Sequence, residues 1–403
     1  MNKKIGFLVF SVAFTLLCQA QNAVQWRYDR TGVYKETGLL KSWDEAGPQL
    51  LWHYDGLGEG HSSVAVSNSG KLYITGMTDE KGFVYAFDTN GKLLNKQEYG
   101  PEWNTNYNGT RGTVTPDNGK LYLISGLGEV FCLNESDLKI LWKKGMFTDF
   151  DGANITWGIC ESPLIVGDKL IVSIGGKKNN VVALNKNTGA LIWNCEGEGD
   201  LSAYGSPIYL SDQKIPQIVV MMKNHILGID IATGKKLWSF EHINQHGVHP
   251  NVPVYAGNML LFTSGYGKGS VMLRLTNGGN SVEKVWESPD LDSRIGAVVK
   301  IGDYIYGSGD KNRFWFCLDW KTGAVKYKDN SLGTGNVIAC DGMLYCYSER
   351  GELALVKINP EKFEIASKYK ITLGTNQHWA HPVIYKGVLY VHHGDVLMAY
   401  KIK

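Results

Sequence analysis

The sequence predicts an all-β fold, an eight-bladed β-propeller with four antiparallel strands per blade and a ring closed by an N-terminal strand. Three observations carry that prediction. A short motif returns along the chain with starts at 84, 130, 181, 226, 271, 314, 353 and 397. That period suits four short strands and their turns, one blade of a propeller. The 48 glycines and the 11% aromatic content suit tight turns between β-strands. The last copy of the motif also stops before its final strand, and a segment near the start supplies one.

Taken in order, the first residues read as an export signal. Lys3 and Lys4 precede an apolar run from Ile5 to Leu17, which is short for a bilayer span, and Ala20 offers a cleavage point. Cys18 raises the alternative of a lipid anchor, although Leu17 stands where a lipoprotein site usually carries a small residue. The expected layout is residues 1–20 as signal peptide, 21–47 as leader and 48–403 as propeller. The mature protein is expected to be periplasmic or secreted.

Each blade motif is a short apolar strand, an Asp or Asn, a Thr-Gly or Asn-Gly turn, and a strand that often ends in Trp. The clearest copies run from Val181 through Asn185 and Gly189 to Trp193, and from Ile226 through Asp230 and Gly234 to Trp238. Gly accepts the positive φ of the turn, and Asp or Asn hydrogen-bonds the turn amides. Trp52, Trp142, Trp193, Trp238 and Trp286 are expected to pack between blades, each burying roughly 150–250 Å². A hairpin precedes each motif, as at Lys71–Thr75 and Lys120–Ile124. The segment Pro48–Tyr54 is the expected missing strand of the last blade, which leaves no open edge.

Composition excludes little else. Lys and Arg total 41 against 39 Asp and Glu, so neither nucleic acid nor an anionic membrane surface is an expected partner. After cleavage six cysteines remain, with no zinc spacing. They read as buried thiols, with a Cys340–Cys346 bridge across a hairpin as the alternative. His246 with His249, and His378 with His381, lack a carboxylate or cysteine partner, so no metal site is expected.

The Ala-x-Asp-x-x-Thr-Gly-x-x-x-Trp repeat resembles that of the PQQ-like, or quinoprotein alcohol dehydrogenase-like, β-propeller family. That superfamily also includes the propeller lipoprotein of outer-membrane protein assembly. The opening, with Trp26-Arg27, Gly32-Val33, Gly38-Leu39-Leu40-Lys41 and Trp43, resembles the leader of exported bacterial members. In catalytic members the resemblance implies PQQ, a Ca²⁺ held by carboxylate and amide, a catalytic Asp and usually a disulfide between adjacent cysteines. This chain has no adjacent cysteine pair and lacks the extra length of those dehydrogenases, so no cofactor is expected. One propeller hosts many activities, so the fold alone does not name the function.

Ligands of a propeller meet the loops that lead into the innermost strands. Several of these strands open with a Ser-Pro-like step: Ser162-Pro163, Ser206-Pro207, Val252-Pro253 and His381-Pro382. Ser63-Val64, Thr113-Val114, Gly296-Ala297 and Asn336-Val337 are the equivalents. Reading backwards from them gives a mouth ringed by His61, Arg111, Trp157, Glu161, Tyr204, His249, Asn251, Arg294, Thr334, His378, Trp379 and His381. His and Arg favour anions, and flat rings suit sugars. The expected role is a ligand- or protein-binding scaffold without PQQ chemistry. The alternative is a lyase-type enzyme on acidic saccharides, with His61, His249, His378 or Tyr204 as base and Arg111 or Arg294 neutralising a carboxylate. A PQQ-dependent oxidoreductase is the third reading. The expected partner is a small acidic or saccharide ligand, or a protein of the cell envelope.

Overall fold

A computed structural model describes residues 25–295 and 298–403. The expected signal peptide with Cys18, the first leader residues and the Gly296-Ala297 step lie outside the described residues. The chain forms eight four-stranded antiparallel sheets, arranged as an eight-bladed propeller. Blades 1 to 7 occupy residues 65–101, 115–145, 164–195, 208–241, 254–288, 298–329 and 335–370. Blade 8 takes three strands from residues 383–401 and its outer strand from Leu50–Tyr54. That outer strand pairs antiparallel with Val396–Lys401, Leu50 lying opposite Tyr400 and Tyr54 opposite Leu397. No helix among the described residues is long and apolar enough to cross a membrane.

The repeat residues pack as a lock between neighbouring blades. The rings of Trp52, Trp142, Trp193 and Trp286 lie against Gly91, Gly189, Gly234 and Gly323, the turn glycines of the next blade. A Cβ on Gly189 would fall 2.9 Å from Trp142, and φ there is +71°, so the position demands glycine twice over. Each indole N–H is also used: Trp142 donates to Lys186 O at 3.1 Å and Trp193 to Ile231 O at 2.9 Å. Trp238 packs in one cluster with Val271 and Leu273 of blade 5, as expected, but lacks the inter-blade bond of the others. Blade 5 replaces Thr-Gly by a 3-10 turn at Asn277–Gly279, so Trp238 donates instead to Gln217 of its own blade, 2.8 Å away. In blade 7 Tyr369 stands at the Trp position and lies against Gly47, so the leader supplies the seat that the truncated last repeat lacks.

Two further devices join blades near the axis. Four consecutive Ser-Pro-like steps form a partial belt in which the backbone N–H donates to a hydroxyl of the following blade. His381 donates to Ser63, Ser63 to Thr113, Thr113 to Ser162 and Ser162 to Ser206, at 2.9–3.1 Å. On four of the loops that leave an outer strand, a carboxylate accepts amides of the next blade. Glu102 accepts Gly126 N, Asp151 accepts Lys178 N and Asn179 N, Asp200 accepts Asn224 N, and Asp292 accepts Asp310 N and Lys311 N. The six cysteines among the described residues are all free thiols, and Cys340 and Cys346 do not pair.

The leader plugs one end of the central channel. Gln25 lines a cavity of about 280 Å³ with Thr115, Asn118 and Gly167, where the inner strands of blades 2 and 3 leave the channel. Arg27 is 2% exposed and donates to Val298 O and Val337 O, in blades 6 and 7. Arg30 is 4% exposed and donates to Ser162 O and Pro163 O at the start of blade 3. Burial lowers both guanidinium pKa values to about 10, so both stay charged at neutral pH. Gly32, with φ +73°, lets the Arg27 guanidinium lie against the backbone, where any Cβ would clash at 2.3 Å. The chain then pairs in parallel with blade 7 through Val33 and Ala339. Glu36 accepts two amides of the Lys386-Gly387 turn in blade 8. From there the leader reaches Leu50 and the ring closes.

Candidate functional site

The other end of the channel is open. It holds a pocket of about 220 Å³, floored by Trp26 of the leader and walled by the loops before the inner strands. His61, Arg111, Trp157, Tyr204, Arg294, Trp379 and His381, all expected at the mouth, line it. Glu161, His249, Asn251, Thr334 and His378 do not. The reason is local. In an extended segment alternate side chains face opposite ways. Cys160 and Ser162 face the pocket, so Glu161 faces away; Val248 and Pro250 face it, so His249 and Asn251 do not. His378 stands on the far side of Trp379 by the same alternation.

The turned-away residues have structural partners. Glu161 accepts Ser173 N at 3.1 Å, and burial lifts its carboxyl to about 7, opposed by Ser173 and Arg30. Asn251 donates to Thr263 O and Ser293 O. His249 lies 3.0 Å from Lys223 O, which only accepts, so Nε2 carries the proton. Its Nδ1 then accepts from Ser264, 2.6 Å away, and Ser264 accepts from His242 Nε2 at 3.0 Å. Burial depresses His249 to about 4 and His242 to about 3, so this relay is neutral. His378 contacts the Tyr347 hydroxyl at 2.6 Å and stacks on His393 at 3.6 Å.

At the mouth itself the cations are engaged. Arg111 donates to four carbonyl oxygens: Trp157 at 2.5 Å, Tyr107 and Gly109 at 2.9 Å, and Asn106 at 3.1 Å. These bonds shape the 104–110 loop. Arg294 pairs with Asp310 and Glu349, each at 2.9 Å. Burial works against its charge, but the two carboxylates outweigh that and hold its pKa up. Trp379 adds its indole N–H to Glu349 at 3.1 Å. His61 is pushed down to about 3 by burial, then by Arg111 and His392, so it is neutral. His381 is held well below its usual range by burial, then by Arg27.

What remains facing the pocket is mostly aromatic. Tyr107 lies 5.0 Å from Trp379, Trp157 lies 6.0 Å from Tyr204, and Trp26 meets His381 edge-on at 4.9 Å. Tyr107, Tyr204 and Tyr266 have φ of 45°, 72° and 60°. The left-handed region costs an ordinary residue roughly 1–2 kcal/mol, and all three tyrosines line this one pocket. Such strain collects at functional sites. Trp26, Tyr107 and Tyr266 escaped the sequence reading. Trp26 lies in the leader, far from any repeat, and Tyr107 and Tyr266 lie further from the inner strands than the backward reading reached. Among the described residues no three His, Cys, Asp or Glu are grouped to hold a metal ion.

Comparison with known proteins fits this architecture. Residues 80–196 and 151–359 match the family PQQ_2, described as outer membrane protein assembly factor BamB. The protein of that name from Shewanella oneidensis is 26% identical over 223 residues, which is 54% of this chain and 52% of that protein. Tetrathionate hydrolase from Acidithiobacillus ferrooxidans is 25% identical over 236 residues, 54% of this chain and 44% of that protein. The chain thus spans about half the length of the curated relatives it matches. Among solved structures, BamB from Moraxella catarrhalis superposes with a TM-score of 0.65 at 15% identity, covering 88% of this chain and 100% of that one. Quinohemoprotein alcohol dehydrogenase from Comamonas testosteroni gives 0.66 at 12% identity, covering 94% and 80%. At such identities the structural likeness speaks for the fold alone.

Proposed function

The chain belongs to the PQQ_2 family described as outer membrane protein assembly factor BamB, and from that premise we propose that it is a protein-binding scaffold of the bacterial cell envelope, working without PQQ chemistry. One observation carries the reading. Arg294 is paired with two carboxylates, Arg111 spends four of its N–H groups on backbone carbonyls, and most of the surface left over is aromatic. A desolvated aromatic pocket with a polar rim is the usual anchor of a protein interface. The described relatives that share the repeat include an assembly factor, which supports the same role.

The other two readings ask for chemistry that these residues do not assemble. PQQ with calcium needs free carboxylate donors, a requirement of any hard cation. Glu349 and Asp310 are bound to Arg294, and Glu161 faces away. The mouth does not fit that group. A lyase on acidic saccharides needs a base near neutrality and a cation free to meet a carboxylate. Burial holds His61 near 3 and His381 well below its usual range, burial raises the Tyr204 hydroxyl to about 12, and His249 and His378 lie outside the pocket.

The test is site-specific photo-crosslinking in the envelope of the native cell. A benzoylphenylalanine replacing Tyr107 is expected to give one discrete protein adduct, absent when the same group replaces Ile192 on the outer rim. No adduct at Tyr107, together with thermal stabilisation by PQQ and calcium or by uronic oligosaccharides, would sink the scaffold reading. A ligand at a hundred times its dissociation constant adds roughly 2.7 kcal/mol, a rise of about 2–4 °C for a chain of this size.

A further inference from the structure

We infer that the mouth binds a single carboxylate group, with Arg111 supplying the opposite charge and the hydroxyls of Ser162, Ser206 and Tyr266 supplying hydrogen bonds to its oxygens. The inference goes beyond the scaffold reading and stands without it.

Charge comes first. Two guanidiniums line the pocket, and no carboxylate does. Arg294 is outweighed by Asp310 and Glu349, each at 2.9 Å. Arg111 is different. All four of its hydrogen bonds end on neutral backbone carbonyls, and among the described residues it has no ion pair. The carboxylate that acts on it through space is Glu102. That group is 2% exposed and is bonded to Tyr99 and to the amides of Trp103 and Gly126. A partly buried charge without a counter-ion is unfavourable, and a ligand of opposite sign relieves it.

The hydrogen bonds agree. A guanidinium carries five N–H donors, of which Arg111 spends four and Arg294 two. The Ser162 and Ser206 hydroxyls each accept a backbone amide, from Thr113 and Ser162, which leaves their own O–H to give. Among the described residues the Tyr266 hydroxyl and the Trp157 indole N–H have no acceptor, and both residues line the pocket. Acceptors are scarce, because Arg111 has taken the carbonyls of residues 106, 107, 109 and 157. A surplus of donors suits a group that only accepts, and an ionised carboxylate is such a group.

The count of charges narrows the class. One unbalanced cation matches a monoanion. A phosphate monoester, at roughly −2, would add a second negative charge near a triad that is already negative. A cavity of about 220 Å³ admits a small acid or one chain end, whose apolar part meets Trp157, Val248, Pro250 and Trp379. A free organic acid and the C-terminus of a partner protein present the same group.

The probes are benzoate and benzamide, alike in shape and different in charge, titrated into the intact protein by saturation-transfer NMR. Benzoate is expected to bind with a dissociation constant of ~1 mM, and benzamide and phenyl phosphate about tenfold more weakly. Arg111→Gln should bring benzoate down to the level of benzamide and leave benzamide unchanged. Where that variant loses the shape of the 104–110 loop, salt decides. Raising it from roughly 50 to 500 mM should weaken benzoate about fivefold and spare benzamide. Tyr266→Phe keeps the ring and should cost benzoate about threefold and benzamide nothing.

Benzamide that binds as tightly as benzoate would overturn the inference. So would benzoate binding that ignores both Arg111→Gln and salt, or no benzoate binding at about 10 mM. N-acetyl-alanyl-phenylalanine and its C-terminal amide separate the two sources. A free-acid peptide about tenfold tighter than benzoate and than its own amide assigns the site to a chain end. Benzoate equal to that peptide or tighter assigns it to a small acid. Carboxylates that bind while no partner crosslinks at Tyr107 would overturn the scaffold reading and leave this site intact. A crosslinked partner with no carboxylate bound would do the reverse.

Discussion

The two ends of the channel are each built round a pair of arginines, and they use them in opposite ways. At the plugged end Arg27 and Arg30 reach carbonyls 132 to 310 residues away, and together they tie the leader to blades 3, 6 and 7. At the open end Arg111 bonds carbonyls 2 to 46 residues away and holds a loop in shape. Arg294 joins two carboxylates of neighbouring blades. The first pair seals. The second shapes a surface and leaves its aromatic part free. A guanidinium in a pocket is therefore no sign of an anion site until its donors have been accounted for.

The contrast can be broken experimentally, and the largest effect lies at the sealed end. Arg27→Ala removes two hydrogen bonds from a charged donor and strands two buried carbonyls. At about 1.5–3 kcal/mol for each such bond, the unfolding free energy in urea should fall by roughly 3–6 kcal/mol. A loss near zero would mean that the plug is dispensable.

Acid comes next, and it acts on the open half. His61, His242 and His249 have folded-state values of about 3, 3 and 4, below the ordinary 6.5. A depressed value means stability that is present above 6.5 and lost as pH falls towards the folded value. Each group removes about 1.4 kcal/mol per pH unit in that window. Glu161, raised to about 7, takes its proton in the folded state and opposes one of them. The net expectation is a loss of a few kcal/mol between pH 6.5 and 5, read as a falling urea midpoint. In Glu161→Gln the fall should be steeper.

Smaller effects separate shape from sealing. Arg111→Lys keeps the charge but offers three donors where the guanidinium offers five. It should cost about 1.5–3 kcal/mol, the value of one bond from a charged donor, and should weaken binding at the mouth. Tyr107→Gly is the smallest. Its ring is 49% exposed, and relief of the left-handed φ offsets the entropy cost of glycine, so stability should stay within about 1 kcal/mol. Binding of the partner at the mouth should nonetheless fall about tenfold. A variant that loses stability and keeps binding would reverse the assignment of the two ends.

The blades were legible because their residues repeat. Gly189 and Trp142 form one lock, Gly234 and Trp193 the next, and the period exposes them. Ring closure was legible for the complementary reason, a missing strand at one end and a spare one at the other. The plug was not. Arg27 and Arg30 occur once, and their partners stand far off in sequence. The carboxylate clamps at Glu102, Asp151, Asp200 and Asp292 do repeat, but on loops of unequal length that blur the spacing. At the mouth the backward reading reaches loops that line the pocket but not which way their side chains face. Taking every polar residue before an inner strand ignored alternation, so Glu161 was put forward where Cys160 and Ser162 point inward.

The strand Leu50–Tyr54 precedes blade 1 and pairs with Val396–Lys401. That places a time order on the molecule. Blades 1 to 7 can each form from a continuous stretch of chain as soon as it is available, because their strands are sequence neighbours. Blade 8 has to wait for the final strand, and the Trp52 seat on Gly91 and the Leu40 bond to Ile402 wait with it. Contacts between such distant residues are the slow ones in folding, since a long loop has to close before they form. Ring closure should therefore be the late step, and any chain cut short of Val396 carries an open blade edge for as long as it exists.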